Sequence, residues 1–378
     1  MSAGSKRPSF ADAAPFWASL ALIPLVIIVA QTGSWSIALI PACTWVLFSG
    51  LDAVIGDDQT NIDPDTAQSD LFWYRAVTLI WPAVQAGLLV WLLATVPAAP
   101  ELSVAEKFGL FFGMGVLTGT VGINYAHELM HQRARLDRWL ADMLLAMVLY
   151  NHFRSEHLLV HHRHVATPRD AVTARYGEGF YRFFMRVLVE CPISAFRAER
   201  AMLARKGLNA WHRSNPFWRY GALQAAFLIA AFALAGPFGV VLFGFQALIA
   251  IWQLELVNYV EHYGLQRREI SPGRYEPVAR HHSWNANRMA SNRLLINLQR
   301  HSDHHYKPAR PFPLLQSGDP DTTPQLPFGY PVMTSAAMVP PLWRRMMNPQ
   351  VKRWRKRFYP DISDWAQSFG PNSSRTAL

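Results

Sequence analysis

Long apolar blocks separated by short polar turns run along most of this chain, and the charged residues are crowded between the blocks. A helix needs about 20 mainly apolar residues to cross a bilayer, and six blocks reach that length with their flanking residues. In the fourth block, Gly109-x-x-x-Gly113 and Gly115-x-x-x-Gly119 fit either close helix packing or the ordinary glycine content of a membrane helix. We therefore expect an all-α integral membrane fold with six transmembrane helices, at about residues 16–30, 35–55, 71–96, 104–126, 220–235 and 238–260.

The basic residues predict how these helices are oriented. Of the 36 Lys and Arg residues, all but Arg75 and Lys107 lie before the first block, in residues 132–219, or after residue 262. Loops rich in Lys and Arg remain on the cytoplasmic side of a membrane. We therefore expect a multi-pass protein of the cell inner membrane with both termini in the cytoplasm. Residues 1–378 would be one membrane-embedded domain, in which segments 132–219 and 262–378 form a cytoplasmic, histidine-rich helical cap.

Composition and charge narrow the class of protein further. Half of the residues (51%) are hydrophobic and 16% are charged, whereas soluble domains are about 25% charged. The net charge of +10 fits cytoplasmic loops and docking of an acidic partner. Because the basic residues flank apolar blocks and no nucleic-acid motif is present, we expect no nucleic-acid partner. Cys43 and Cys191 form no CxxC pair, which excludes a cysteine-based zinc or iron–sulfur site.

Histidines recur at helical spacing beside the apolar blocks. Spacings of i, i+3 and i+4 place side chains on one helix face, and imidazole is a common ligand of zinc, iron, copper and nickel. The adjacent pairs His161-His162 and His304-His305 cannot easily point at one ion, so they predict two metals that share a cavity. The candidate ligands are His127, His131, His157, His161, His162, His262, His301, His304 and His305.

An all-imidazole site without an obvious bridging carboxylate favours iron where oxygen is to be activated, although the residues alone do not separate iron from zinc or copper. Acidic residues beside the candidate ligands can hydrogen-bond the outer nitrogen of an imidazole, or can be ordinary helix-surface charges. We place His282 in the same supporting role, because the pair His281-His282 is interpreted as structural hydrogen bonding near the site. The supporting candidates are Glu128, Glu156, Glu261, Asp303 and His282.

Two other classes of function are compatible with parts of this pattern. Residues 127–131, His-Glu-Leu-Met-His, match the H-E-x-x-H motif of a membrane zinc metalloprotease. That function would leave His301, His304 and His305 without a role. A metal transporter would need polar residues inside the membrane. The predicted transmembrane helices are almost free of charged residues, and Glu255 is the main exception.

Four ordered motifs resemble the integral-membrane, histidine-rich diiron hydroxylases, and within that family the bacterial alkane 1-monooxygenases. The resemblance covers about residues 51–343. The string from Asn258 to Gly264 favours alkane hydroxylases over fatty-acyl desaturases, and His281-His282-Ser283-Trp284-Asn285 is also similar to the family. The four motifs are His127–His131, Glu156–His162, Asn258–Gly264 and Leu298–His305.

The resemblance implies a desaturase/hydroxylase-like fold whose two iron ions are bound by the same nine histidines. It implies oxidation of the terminal methyl of medium- or long-chain n-alkanes to primary alcohols with O2. Electrons would come from rubredoxin, or a ferredoxin, with its reductase, and the substrate would arrive through membrane lipid. Met130 and Val160 replace frequent glycines of the family and add bulk near the site. Related hydroxylases of methylarenes, terpenes or fatty acids therefore remain an alternative.

Overall fold

The computed structural model describes residues 8–363 and Trp365, so both predicted cytoplasmic termini and the end of segment 262–378 lie outside the described residues. Its first part consists of four helices that are long and apolar enough to cross a membrane. The fourth helix continues beyond the predicted end at residue 126 and includes both histidines of the first motif. These helices are α1 (Phe10–Thr32), α2 (Ser34–Ile55), α3 (Gln68–Thr95) and α4 (Val104–His131).

Three helices follow between α4 and the next apolar segment. The first of them is α5 (Arg135–Ala146). Three consecutive helical pieces, His152–Glu156, His157–His161 and His162–His164, form α6. The amphipathic helix α7 (Phe180–Ala204) completes this segment.

The fifth candidate membrane helix, α8 (Pro216–His262), has 47 residues. At 1.5 Å per residue, a straight helix of that length would be about 70 Å long, roughly twice the hydrocarbon thickness of a bilayer. Ala235 and Gly236 have non-helical backbone angles, with φ of +61° at Gly236. The rings of Phe227 and Phe243 lie 6.3 Å apart on either side of this break. The two halves of α8 therefore fold back on each other, with the break between the predicted spans 220–235 and 238–260.

The remaining elements are short and follow α8. A two-stranded antiparallel hairpin, β1 (Glu269–Ser271) and β2 (Arg274–Tyr275), pairs Glu269 with Tyr275. A short 3-10 helix, Arg280–His282, precedes α9, and another, Phe312–Leu314, follows α10. The helices of this part are α9 (Met289–Leu294), α10 (His301–Tyr306), α11 (Tyr330–Ala337) and α12 (Pro340–Phe358).

The glycines of α4 let this helix pack closely against two neighbours, which is the first of the two interpretations of their spacing. A Cβ on Gly109 or Gly113 would lie 2.8 Å from Ile37 or Ile40 of α2. A Cβ on Gly115 would lie 2.6 Å from the Gln246 carbonyl oxygen of α8. Helix α4 is therefore held between α2 and α8, and its last turn carries His127 and His131 into the centre of the molecule.

Three helices contain π-helical segments, in which the backbone hydrogen bonds run from i to i+5. Segments of this type are rare, occur mostly as single turns inside α-helices, and are frequent at functional sites. They change the direction in which the following side chains point. They are Ala42–Leu47 in α2, Thr118–Ile123 in α4 and His157–His161 in α6.

Candidate metal centre

The nine histidines predicted as ligands come together in the folded chain. Two lie on the last turn of α4, three on α6, one at the end of α8 and three on α10. Their ligand atoms form two groups, in each of which four nitrogens lie within 4.8 Å of one another. The first contains His127, His131, His157 and His304, and the second contains His161, His262, His301 and His305.

His162 joins the first group. Its Nε2 atom lies 2.9 Å from His157 Nε2 and 3.2 Å from the Nε2 atoms of His131 and His304. We call the resulting sets the five-histidine group and the four-histidine group. In the four-histidine group, His301 Nε2 lies 3.1 Å from His262 Nε2 and 2.9 Å from His305 Nε2.

Both adjacent histidine pairs divide between the two groups, as expected for side chains that serve two ions. The π-helical turn gives the reason in α6. It brings i and i+5 onto the same side of the helix, so His157 and His162 face the same point while His161 turns to the other group. On α10, His301 and His305 share one face at i, i+4, and His304 points to the five-histidine group.

The donor arrangement fits metal ions better than a hydrogen-bond network. His157 Nε2 lies within 3.1 Å of the Nε2 atoms of His127, His131 and His162. A neutral imidazole carries only one N–H, so hydrogen bonds cannot satisfy so many converging nitrogens at once. His161 Nε2 is buried without a hydrogen-bond partner among the described residues. A cation in each group would satisfy these lone pairs.

Burial keeps these rings neutral, which is the form that binds a metal. Removal from water, together with the neighbouring histidines, holds the pKa of His157, His162 and His304 well below the ordinary value of histidine. The same causes lower the pKa of His301 and His305.

Asp170 fixes the orientation of His161, and the histidine spacing did not reveal it. His161 Nδ1 donates to Asp170 Oδ2 at 2.9 Å, so the lone pair of Nε2 is directed into the four-histidine group. Burial alone would raise the pKa of Asp170, but His161 and the hydrogen bond from Thr173 outweigh it and lower that pKa. Asp170 lies in a loop nine residues after His161, where no helical period relates the two residues.

The supporting residues predicted from sequence differ in what they contact. Glu261 Oε1 lies 3.2 Å from His301 Nδ1 at the edge of the four-histidine group, without hydrogen-bond alignment. Glu128 instead accepts hydrogen bonds from the Gln132 side chain and the Phe312 backbone, at 2.8 and 3.3 Å. Neither carboxylate oxygen of Glu156 has a hydrogen-bond partner among the described residues.

The Asp303 carboxylate contacts arginine side chains and a backbone N–H rather than a histidine ring. It accepts hydrogen bonds from Arg280 at 2.8 Å and from the Gln316 backbone at 3.0 Å, and it pairs with Arg310. These contacts connect the loop after α10 to the segment before α9, so Asp303 holds the helix that carries three histidines.

His282 belongs to a third cluster, with Glu276, His281 and Tyr359, and its described contacts do not include the nine histidines. The Ala279 backbone N–H donates to His282 Nδ1 at 2.9 Å, so the proton of the neutral ring is on Nε2. That N–H faces Tyr359 Oη at 2.8 Å and Glu276 Oε1 at 3.3 Å. Hydrogen bonds from His282 and Tyr359 outweigh burial and lower the pKa of Glu276 to about 2. This cluster is therefore explained by hydrogen bonding alone.

An apolar cavity between the long apolar helices borders both histidine groups. Its wall includes His127, His157 and His301. The π-helical segments of α2 and α4 contribute Thr44, Trp45, Gly119, Thr120 and Ile123. Met130 and Val160, which we expected to add bulk to the site, are not among the residues that line this cavity.

The H-E-x-x-H motif does not form an isolated zinc site. His127 and His131 share their group with His157 and His304, which lie far away in sequence. The Glu128 carboxylate, which would be the general base of such a protease, is hydrogen-bonded to Gln132 and Phe312.

Known proteins are similar to most of this chain. Residues 103–337 match the model of the fatty acid desaturase family. Alkane 1-monooxygenase 1 of Pseudomonas aeruginosa is 39% identical over 80% of this chain and 79% of its own length. Alkane 1-monooxygenase 1 of Alcanivorax borkumensis is 36% identical over 89% and 82%. The hydroxylase component of xylene/toluene monooxygenase of Pseudomonas putida is 30% identical over 80% and 79%.

Proposed function

Because the chain belongs to the fatty acid desaturase family and, within it, to the alkane 1-monooxygenases, we propose that it hydroxylates the terminal methyl of medium- or long-chain n-alkanes. One atom of O2 enters a C–H bond to give the primary alcohol. The other atom leaves as water after uptake of two electrons and two protons. The observation that carries this proposal is the apolar cavity whose wall includes histidines of both groups.

Two iron ions are the proposed cofactor. His127, His131, His157, His162 and His304 would hold one ion, and His161, His262, His301 and His305 the other. When bound, such a pair supplies the activation and cleavage of O2 that side chains cannot perform. Asp170 directs the His161 lone pair toward the second position, and Asp303 holds helix α10 in place.

The protein's own contribution to the reaction is to bind and orient the chain. Leu254, Val257, Leu294, Leu295 and Leu298 line the cavity and provide apolar contact for an alkane. An apolar wall also keeps water from the reacting carbon. In this arrangement the terminal methyl lies beside His127, His157 and His301 in the cavity wall.

We propose that the electrons come from rubredoxin, or a ferredoxin, with its reductase. No cysteine cluster or nucleotide-binding glycine motif is present in the sequence. Helix α12 presents exposed basic side chains that could bind an acidic donor protein. Arg355 of the same helix is partly covered by Tyr176 and Trp365. The exposed cations are Arg344, Arg345, Lys352, Arg353, Lys356 and Arg357.

We also propose the topology expected from the sequence. Helices α1 to α4 would cross the inner membrane once each and α8 twice, which places both termini in the cytoplasm. The break at Ala235 and Gly236 supports two crossings in α8. The distribution of Lys and Arg supports a cytoplasmic histidine-rich cap in one membrane-embedded domain.

The decisive test is an assay of the purified protein with octane, rubredoxin, its reductase and NADH under ¹⁸O2. We expect 1-octanol that carries one ¹⁸O atom. A methylarene such as toluene is the natural second substrate, because the xylene/toluene hydroxylase component is a relative at 30% identity. Oxidation of toluene with no oxidation of octane would favour that second candidate.

A further inference from the structure

The two histidine groups differ in their exposure to water. Every member of the four-histidine group is buried, with at most 5% of its surface exposed. In the five-histidine group, His131 and His162 are only partly buried. The position that the five histidines surround is therefore the one that faces solvent.

A second cavity, separate from the apolar one, reaches His131. It lies between α3, the last turn of α4, the start of α5 and residues 309–313, which include the start of the 3-10 helix Phe312–Leu314. Its wall includes the polar side chains of Gln68, Thr78, Glu128 and Gln132, and it shares no lining residue with the apolar cavity. We call it the aqueous pocket.

The wall of the aqueous pocket places possible ligands of a hydrated cation beside two arginines, Arg75 and Arg133. Glu128 and His131 offer a carboxylate oxygen and an imidazole nitrogen, both of which divalent metal ions accept as ligands. The guanidinium of Arg75 is paired with Asp137 at 2.6 Å, which offsets its charge. The pocket shares Gln68, Ala309 and Pro311 with a surface groove. This groove also contacts Pro64 and Thr66, which flank Asp65, and the basic residues Lys307 and Arg310.

We infer that the aqueous pocket is the route by which hydrated divalent metal ions enter and leave the five-histidine group. The inference rests on the proposed metal centre. An arriving ion exchanges its water ligands for imidazole nitrogens, and the released water leaves through the same pocket. None of the histidines of the four-histidine group lines the aqueous pocket, so the ion of that group exchanges more slowly.

The test is the time course of iron loss from the purified protein to ferrozine under reducing conditions. We expect two phases, each with one iron per chain. Ala309 and Ala134 are exposed residues of the pocket wall, so Ala309→Trp, or independently Ala134→Trp, narrows the opening. Each variant should slow the fast phase several-fold and leave both the slow phase and the initial iron content unchanged.

Two controls separate the possible routes. Ala201→Trp adds the same bulk at an exposed position of α7, outside the pocket, and should change neither phase. Trp45→Ala enlarges the apolar cavity and should also leave both phases unchanged. A single phase, a fast phase that neither pocket variant slows, or acceleration by Trp45→Ala would overturn the inference. A protein purified without iron would instead overturn the metal centre itself, and the inference with it.

Discussion

His161 Nδ1 donates to the Asp170 carboxylate at 2.9 Å, and both side chains are buried beneath the four-histidine group. This contact fixes which nitrogen of His161 is free to bind a metal. It also links the histidine-rich helix α6 to the loop that follows it. Asp170 is therefore a positioning residue for the second ion.

We predict that Asp170→Asn lowers the affinity of the four-histidine position for iron, by about 10- to 100-fold for loss of such an outer partner. The expected result is a fall from two irons per chain toward one, with most of the hydroxylation lost. Iron analysis after dialysis measures it. Asp361→Asn, which breaks an exposed pair with Arg268, is the control. Two retained irons in Asp170→Asn would show that Asp170 does not orient a ligand.

The third cluster allows a direct comparison with the proposed ligands. We predict that His282→Gln keeps two irons per chain, because the hydrogen bond from Ala279 leaves no free Nε2 lone pair on that ring. His162→Gln should lose iron, since His162 Nε2 faces three other histidines. Metal analysis of both variants decides the point. Loss of a metal ion in His282→Gln would identify the third cluster as a binding site.

Trp45 is the largest side chain that α2 contributes to the apolar cavity. We predict that Trp45→Ala lengthens the n-alkanes accepted, because removal of the indole extends the space available to the chain. Trp35 of the same helix is 77% exposed, so Trp35→Ala is a matched control that should not change the product profile. Product yields across alkanes of increasing length measure the shift. Identical profiles for Trp45→Ala and the parent protein would contradict it.

The exposed basic side chains of α12 should affect binding of the electron donor and not binding of the alkane. We predict that the double variant Lys352→Glu/Arg353→Glu raises the KM for rubredoxin several-fold, with little change in the KM for octane. Salt should weaken docking in the parent protein, since the Debye length is about 10 Å at 0.1 M. The matched control is Arg205→Glu/Lys206→Glu, at exposed positions after α7. Equal donor kinetics in both double variants would place docking elsewhere.

Hydropathy and histidine spacing predict much of this molecule because both depend on local periodicity. The first four apolar blocks correspond to α1–α4, and the break in α8 lies between the predicted spans 220–235 and 238–260. The nine histidines that were selected by their spacing also lie close together in the structure.

The remaining features depend on long-range contacts or on local changes of the backbone, and the periodicity of the sequence does not reveal either. The hydrogen bond between Asp170 and His161 crosses a loop. The π-helical turn at His157–His161 redirects side chains without a sequence signal that we could recognise. His282 looked like a neighbour of the site because of its motif, yet the Ala279 backbone and Tyr359 are its hydrogen-bond partners.

The central claim is that the two histidine groups hold iron for alkane hydroxylation. Metal analysis of the detergent-purified protein, on the same sample that is assayed with octane, rubredoxin, its reductase and NADH, tests it most directly. We predict about two irons per chain together with 1-octanol. One zinc, no iron and no alcohol would contradict the account and favour the metalloprotease interpretation of residues 127–131.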